Sequence, residues 1–261
     1  MPIDTQAPET AGTAGTAGVA GTAAEAPALD LRDVFKIYNE AGASGASGTE
    51  TETVALRGLD LRVERGEVVA LMGRSGAGKS TLLNLIGGMD TPSAGRVRVD
   101  GQDVGRLDEA GRAALRRRLV GFVFQDNNLL PYLSARENVA LCATLAGRPD
   151  ATARADALLD EVGLSERATH RPDELSGGER QRVGVACALA GEPAVVLADE
   201  ITGELDSATA ERLITLVIDL GRRARAAVLL VTHNPEVASR ADRALTIRDG
   251  ALAPLTPLVE A

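Results

Sequence analysis

The stretch Val68-Val-Ala-Leu-Met72 followed by Gly73-Arg74-Ser75-Gly76-Ala77-Gly78-Lys79-Ser80-Thr81 constrains this chain more than any other. An apolar run of strand length meets a loop of the form G-x-x-x-x-G-K-S, and Thr81-Leu-Leu-Asn-Leu-Ile continues as helix up to Gly87-Gly88. A glycine-rich turn with a chance lysine would explain the loop alone, but a strand before it and a helix after it are the context a phosphate loop requires. Gly73, Gly76 and Gly78 let the backbone aim N–H groups at an anion, the helix start adds the positive end of its dipole, and Lys79 adds a full charge. Arg74, Ser75, Ala77 and Thr81 belong to the same phosphate-binding stretch. Ser80 is placed to put its hydroxyl on a magnesium ion between the outer phosphates. A nucleoside triphosphate site is expected.

Three later strand ends point at the same chemistry. Leu119-Val-Gly-Phe-Val-Phe-Gln125 reads as a buried strand whose last residue is a polar amide. Ligands of parallel sheets sit beyond the carboxyl ends of the strands, so Gln125 is a candidate to touch the magnesium ion or the attacking water. Ala194-Val-Val-Leu-Ala-Asp199-Glu200 is an apolar strand ending in adjacent carboxylates. Paired acids at a strand end are often only loop solvation. After a phosphate loop they read as Asp199 holding magnesium through water and Glu200 orienting and polarising the attacking water. Ala227 to Val231 is a final apolar strand that delivers Thr232-His233. A lone histidine in such a place is commonly structural, but at the same sheet edge His233 is expected to reach the γ-phosphate.

Leu175-Ser176-Gly177-Gly178-Glu179 is the second decisive motif. Ser176 and Glu179 have capping-box spacing for a helix running to about Ala190. Capping does not explain two glycines in a first turn, where each lowers helix stability by roughly 1 kcal/mol relative to alanine. Close approach of a phosphate to Ser176 and the Gly178 N–H would explain them. Both a cap and an anion site are expected.

The remaining segments set the organisation. Residues 1–27 hold Ala-Gly-Thr repeats without apolar periodicity and are expected to be a disordered tail. Alternating patterns over Leu29 to Tyr38 and Val54 to Val63 read as strands, joined by a flexible Gly/Ala/Ser insertion from Glu40 to Thr51. Tyr38 is either a strand-edge tyrosine or, given the site downstream, an adenine-stacking ring. Leu107 to Arg118 is helical in pattern, and its Arg112, Arg116, Arg117 and Arg118 form a solvated face or a contact for headgroups or a partner. Ser134 and Glu137 repeat the capping-box spacing at the start of a helix to about Leu145, and Ala151 to Val162 is a second helix. His170 is read as a surface residue. Asp206 lies on a loop before a helix from Ser207 to Leu220.

With 44% hydrophobic and 25% charged residues the composition is that of a soluble globular protein. Apolar runs are only strand-sized and no secretory signal is visible, so a cytoplasmic chain with no direct membrane insertion is expected. The net charge of −9 gives no general attraction to nucleic acid or to an anionic bilayer. Any membrane attachment must then come through a protein partner. Cys142 and Cys187 lack metal-type spacing and read as small buried thiols.

Over about Leu29 to Gly250 the chain resembles the ATP-binding subunit of an ABC transporter. Tyr38 matches the family's aromatic loop, Gly73 to Ser80 its Walker A, Gln125 its Q-loop, and Leu175 to Glu179 its signature. Val195 to Glu200 match its Walker B, Glu204-Leu-Asp206 its D-loop and His233 its switch histidine. Within the family, Asn128-Leu-Leu-Pro131, Ala135 to Val139, Thr202 to Asp206 and Val231 to Ala238 are similar to the LolD/MacB/FtsE-like group. The resemblance implies an α/β fold: a P-loop core with a RecA-like sheet and flanking helices, an antiparallel β-subdomain, and an inserted α-helical subdomain over about 126–178. The cassette would span 28–250, leaving 251–261 as a C-terminal tail.

The resemblance also implies an ATPase using ATP and Mg2+, with Asp206, Ser176, Gly177 and Gly178 contacting nucleotide. The P-loop and the signature lie about a hundred residues apart in different subdomains, and the resemblance implies that one copy's signature meets the other copy's nucleotide in an ATP-bound homodimer. That dimer would drive an integral membrane permease from the inner face of the cell membrane. The alternatives are an FtsE-like regulatory ATPase gating a wall hydrolase, and a non-transport ABC ATPase acting on DNA or the ribosome. The short single cassette and the acidic balance speak against the last. Three departures stand out. Ile201 replaces the usual proline after Glu200, which questions the stiffness of that turn. Cys187 replaces a common arginine, so a surface ion pair is expected to be missing. The insertion at Glu40 to Thr51 lengthens a loop.

Overall fold

A computed structural model of the chain describes residues 26–40, 51–125, 128–203 and 205–254. The tail at 1–25, most of the 40–51 insertion, Glu204 of the D-loop and the last residues, 255–261, lie outside the described residues.

The strands sort by pattern. β1 (Leu29–Glu40) and β2 (Thr51–Val63) alternate apolar and polar residues, pair antiparallel, and join β4 (Ala94–Val99) and β5 (Gln102–Asp103) in a four-stranded sheet of order β2-β1-β4-β5. The most apolar strands, β3 (Val68–Met72), β7 (Val195–Asp199, polar only at its last residue) and β8 (Ala227–Val231), are buried on both faces and occupy the centre of the second sheet. Its order is β10-β9-β3-β8-β7-β6, with β6 (Val120–Val123) and β9 (Arg243–Arg248) also parallel and β10 (Ala251–Pro254) antiparallel.

One apolar core lies between the two sheets and takes Leu82, Leu83, Leu85 and Ile86 from α1 (Lys79–Ile86) and Leu115 from α2 (Glu109–Leu119). The other lies on the opposite face, under α5 (Gly177–Leu189) and α6 (Ser207–Arg223), and continues into the helical subdomain built on α3 (Ala135–Leu145) and α4 (Ala151–Glu161). A short α7 (Pro235–Ala238) follows β8.

Two expectations are corrected. Residues 251–254 are not a tail but β10, the sheet's edge strand. Asp249 and Gly250 carry positive φ of 49° and 80° in a two-residue turn between β9 and β10, the geometry that an Asp-Gly pair supplies in a tight hairpin. The reading of Cys187 as a small buried thiol holds in part. The residue is half-buried on α5 and packs against the second core together with Cys142 of α3. His170 is half-buried rather than on the surface. Its carbonyl accepts from Ala135 N at 2.8 Å, and Ala168 O accepts from Arg136 N at 2.9 Å, which fastens the loop before α5 to the start of α3.

Candidate functional site

The loops after β3, β6, β7 and β8 leave the same edge of the parallel sheet, and a cavity of about 800 Å3 opens there. Gly73, Arg74, Ser75, Gly76, Gly78, Lys79, Ser80, Thr81, Gln125, Asp199, Glu200 and His233 all line it. Crossover connections carry each strand back to the same edge, so residues far apart in sequence meet.

The phosphate loop is shaped by close contacts. A Cβ on Gly73 would lie 2.7 Å from both Ile247 Cγ2 and the Ile247 carbonyl oxygen, so this glycine answers to β9 packing rather than to an unusual φ. Gly78 has φ of 108°, and a Cβ there would meet the Ala55 carbonyl at 2.7 Å. A Cβ on Gly76 would meet nothing within 4 Å. Ala77 does not line the cavity. It faces the inter-sheet core, its N–H donates to Arg74 O at 3.2 Å, and its carbonyl accepts from Gly250 N at 3.2 Å. Lys79 Nζ donates to the carbonyls of Gly73 at 2.7 Å and Arg74 at 3.1 Å, which folds the charge over the loop.

The acids differ as adjacent residues at a turn should. Asp199 ends β7 and is half-buried. Burial pushes its carboxyl above the ordinary range, the charge of Glu200 adds to the rise, and Lys79 opposes it. Glu200 sits at φ 47°, a conformation uncommon for a residue with a side chain and often met at functional turns. Its N–H donates to Val231 O at 3.0 Å and its carbonyl accepts from Gly203 N at 3.1 Å, so the turn is anchored. Ile201, in the position where stiffness was in question, is 3% exposed and fixes the turn by burial instead. His233 Nδ1 stands 3.8 Å from Glu200 Oε2. Around it, Thr232 N donates to Leu71 O at 3.1 Å and Asn234 caps α7.

Gln125 reaches the same space past the end of β6, with its Nε2 3.2 Å from where a Cβ on Gly203 would stand. Its backbone is held by a residue that the sequence did not single out. Gln181, 4% exposed on α5, donates from Nε2 to Gln125 O at 2.7 Å and to Phe124 O at 3.4 Å. Thr53, Val54 and Ala55 of β2 also line the cavity and were not foreseen, because strand alternation says nothing about which sheet a strand end will lean against. Ser80, Gln125 and Asp199 together offer a hydroxyl, an amide oxygen and one carboxylate. That all-oxygen set with few protein charges suits a hard divalent ion completed by phosphates and water.

Tyr38 is outside the cavity lining, half-buried on β1. Its hydroxyl donates to Asp90 Oδ2 at 3.0 Å, and Lys36 Nζ lies 4.8 Å from its ring centroid while donating to Asp90 Oδ1 at 2.6 Å. Burial raises the phenol's pKa, a hydrogen bond from Thr81 lowers it, and Asp90 raises it again, so the ring is tied to the P-loop helix.

The signature residues are elsewhere in the chain. Ser176 is exposed at the start of α5 and closes a full capping box: Glu179 N donates to Ser176 Oγ at 3.3 Å, and Ser176 N donates to Glu179 Oε2 at 2.8 Å. Arg180 donates to the Leu175 and Pro172 carbonyls and pins the loop before the box. A Cβ on Gly178 would sit 2.9 Å from Thr209 Cγ2 on α6, so close packing is a second reason for that glycine beside the expected approach of a phosphate. A Cβ on Gly177 would meet only Arg180 Nη2 at 3.9 Å and leaves that side open. Asp206 is likewise away from the cavity lining. Its Oδ1 accepts from Thr209 N at 3.0 Å and caps α6, and the hydrogen bonds from Thr209 hold its carboxyl below the usual range.

Comparison with known proteins gives one consistent picture. Residues 56–203 match the family described as "ABC transporter". The lipoprotein-releasing system ATP-binding protein LolD 1 of Rhodospirillum rubrum is 52% identical over 197 residues, covering 75% of this chain and 87% of that protein. The macrolide export ATP-binding/permease protein MacB of Marinobacter nauticus is 49% identical over 205 residues, covering 78% of this chain and 32% of that longer protein. Among solved structures, the dimeric post-hydrolysis state of the ATP-binding cassette MJ0796 bound to ADP and Pi superposes with a TM-score of 0.75 at 36% identity, covering 88% of this chain and all of that one.

Proposed function

We propose, from the premise that this chain belongs to the ABC transporter family, that two copies close on two ATP molecules and that this closure drives a membrane permease. The chain is an ATP-binding subunit and an ATPase. The names of its relatives diverge at cargo, lipoprotein in one and macrolide in the other, so the level they share is an ATPase that powers a permease.

One observation carries the dimeric reading. The P-loop, Gln125, Asp199, Glu200 and His233 converge on one cavity, while Ser176 and Gly177 stand exposed or open on a different element of the same chain. A second copy turned head to tail would bring its Ser176 and Gly178 N–H to the outer phosphate and its Asp206 loop alongside. Moving such a pair from mostly apart to mostly together needs about 5.5 kcal/mol of differential binding. Charge-assisted hydrogen bonds of roughly 1.5–3 kcal/mol, several per site, are of sufficient size.

In this reading Lys79 and the loop N–H groups hold the β- and γ-phosphates, and Tyr38, outside the cavity lining but beside Thr81, would meet the adenine at the cavity's rim. Glu200 orients and polarises the attacking water, and His233 beside it contacts the γ-phosphate. Ser80, Asp199 and Gln125 would hold magnesium, which when bound neutralises charge between the outer phosphates. No helix among the described residues is long and apolar enough to cross a membrane. Attachment at the inner membrane face is therefore assigned to the permease. Its seat is placed on the helical subdomain, where Leu130, Tyr132 and Leu145, three of the five exposed large apolar side chains among the described residues, fall within one short stretch.

The test is Glu200→Gln. It is expected to bind ATP, to accumulate as a dimer on size-exclusion chromatography with ATP, and to lose about 10²- to 10⁴-fold in turnover. Hydrolysis at the wild-type rate would remove Glu200 from its role, and a monomer at saturating ATP would remove the shared site.

A further inference from the structure

The sequence has two cysteines, and the fold brings them together. Cys142 on α3 and Cys187 on α5 are both free and half-buried, and they line one groove of about 250 Å3 between β6 and the helical subdomain. Neither lines the nucleotide cavity. The helices that carry them pack directly on each other. Both cysteines keep partial solvent exposure, and the groove is bordered by Arg116, Arg117 and Arg118.

We propose that Cys142 and Cys187 are a peroxide-reactive dithiol that closes to an intrachain disulfide, a modification site separate from the ATPase centre. Cys187 is the more deeply buried of the two, so Cys142 is the thiol that a reagent in the groove meets first. The two thiols hydrogen-bond each other, which lowers the pKa of Cys142 against the opposing effect of burial. The same bond, with burial and the charge of Cys142, pushes Cys187 well up. The attacking sulfur is the one with more thiolate character, and the partner keeps its proton until the second step.

The chemistry balances with hydrogen peroxide as the oxidant. The Cys142 thiolate attacks one peroxide oxygen, so an S–O bond forms, the O–O bond breaks, and hydroxide leaves to become water on taking a proton. Cys142 is then a sulfenic acid. Cys187, giving up its proton, attacks the Cys142 sulfur. The S–S bond forms, the S–O bond breaks, and the departing hydroxide takes that proton as a second water. Two electrons pass from the two thiols to one peroxide. The product would staple α3, a helix of the inserted subdomain, to α5, whose start carries Ser176 and whose far end packs on β6. The groove would narrow with it.

The experiment uses the full-length chain, exposed natively to hydrogen peroxide, blocked with N-ethylmaleimide and read by intact and peptide mass spectrometry. The expected result is loss of two hydrogen atoms, no alkylation, a Cys142–Cys187 cross-linked peptide, and full reversal by dithiothreitol. In Cys187→Ala the sulfenic acid should persist at Cys142 and be captured by dimedone. In Cys142→Ala, oxidation of Cys187 should slow by about tenfold or more, as expected for a thiol with little thiolate. Two alkylatable thiols after peroxide, independent sulfinic acids at both positions, or a bridge between two chains would each overturn the proposal. The wild-type measurement decides the matter even if a variant fails to fold.

Discussion

Two helices of this molecule start with glycine-rich turns, and they start in opposite ways. At α1 the N-cap is Gly78 in the left-handed region, with no side-chain cap and no acidic residue in the first turn. At α5 the N-cap is Ser176, the capping box is complete, and Glu179 stands ionised in the first turn, its pKa lowered chiefly by the Ser176 N–H. The first start leaves its N–H groups to an anion that the rest of the cavity surrounds. The second satisfies itself and lies away from the cavity lining. A complete cap keeps a helix stable while it waits for a partner, whereas an uncapped one is stable only because its loop is packed from behind.

That contrast can be broken most strongly at the charges. Lys79→Ala should lose nucleotide binding and turnover together, whereas Ser176→Arg should lose ATP-dependent dimerisation and turnover by about tenfold or more while a fluorescent ATP analogue still binds the monomer. Equal loss of monomer binding in both would make α5 part of the P-loop's local fold. Ser176→Ala is the control for the cap, at a cost of about 1 kcal/mol of stability.

A smaller effect separates packing from recognition at Gly178. Gly178→Ala puts a methyl group 2.9 Å from Thr209 Cγ2, and overpacking of this kind costs about 1–3 kcal/mol. Thr209→Ser removes that carbon and keeps the hydroxyl that accepts from Arg212. If the double variant regains both thermal stability and ATPase activity, the glycine serves the α5–α6 contact. If stability returns without activity, close approach of a phosphate also requires it.

The smallest effect concerns Asp199 without nucleotide. Because its pKa is raised in the fold, the native state binds more protons than the unfolded state just above the ordinary carboxylate range. Stability from this group is therefore lost as pH rises through that window. Asp199→Asn should flatten this fall and raise the melting temperature slightly at neutral pH. Melting curves that stay parallel at all pH values would mean that the carboxyl is not strained.

Much of this was legible because the signals were local. Ser134 with Glu137 and Ser176 with Glu179 announced two helix starts, and both boxes formed. Apolar runs at Val195 and Ala227 announced central strands, and the polar residues just beyond them landed at one edge. The missed features depend on residues distant in the chain. Gln181 acts on Gln125 from 56 positions away, and Gly73 and Gly178 are closely packed by Ile247 and Thr209. The exception is β10, where Asp249-Gly250 was a local turn signal read as the end of the fold.

That hairpin turn reaches back to the phosphate loop. Gly250 N donates to Ala77 O, Gly250 O accepts from Arg57 N at 2.9 Å, and a Cβ on Gly250 would strike Ala55 O at 2.7 Å. The last described turn of the polypeptide is thus the backstop of the first helix's anchor. Shortening the protein ahead of Gly250, or hauling on the strand beyond it, would loosen the triphosphate seat from a point that touches no ligand.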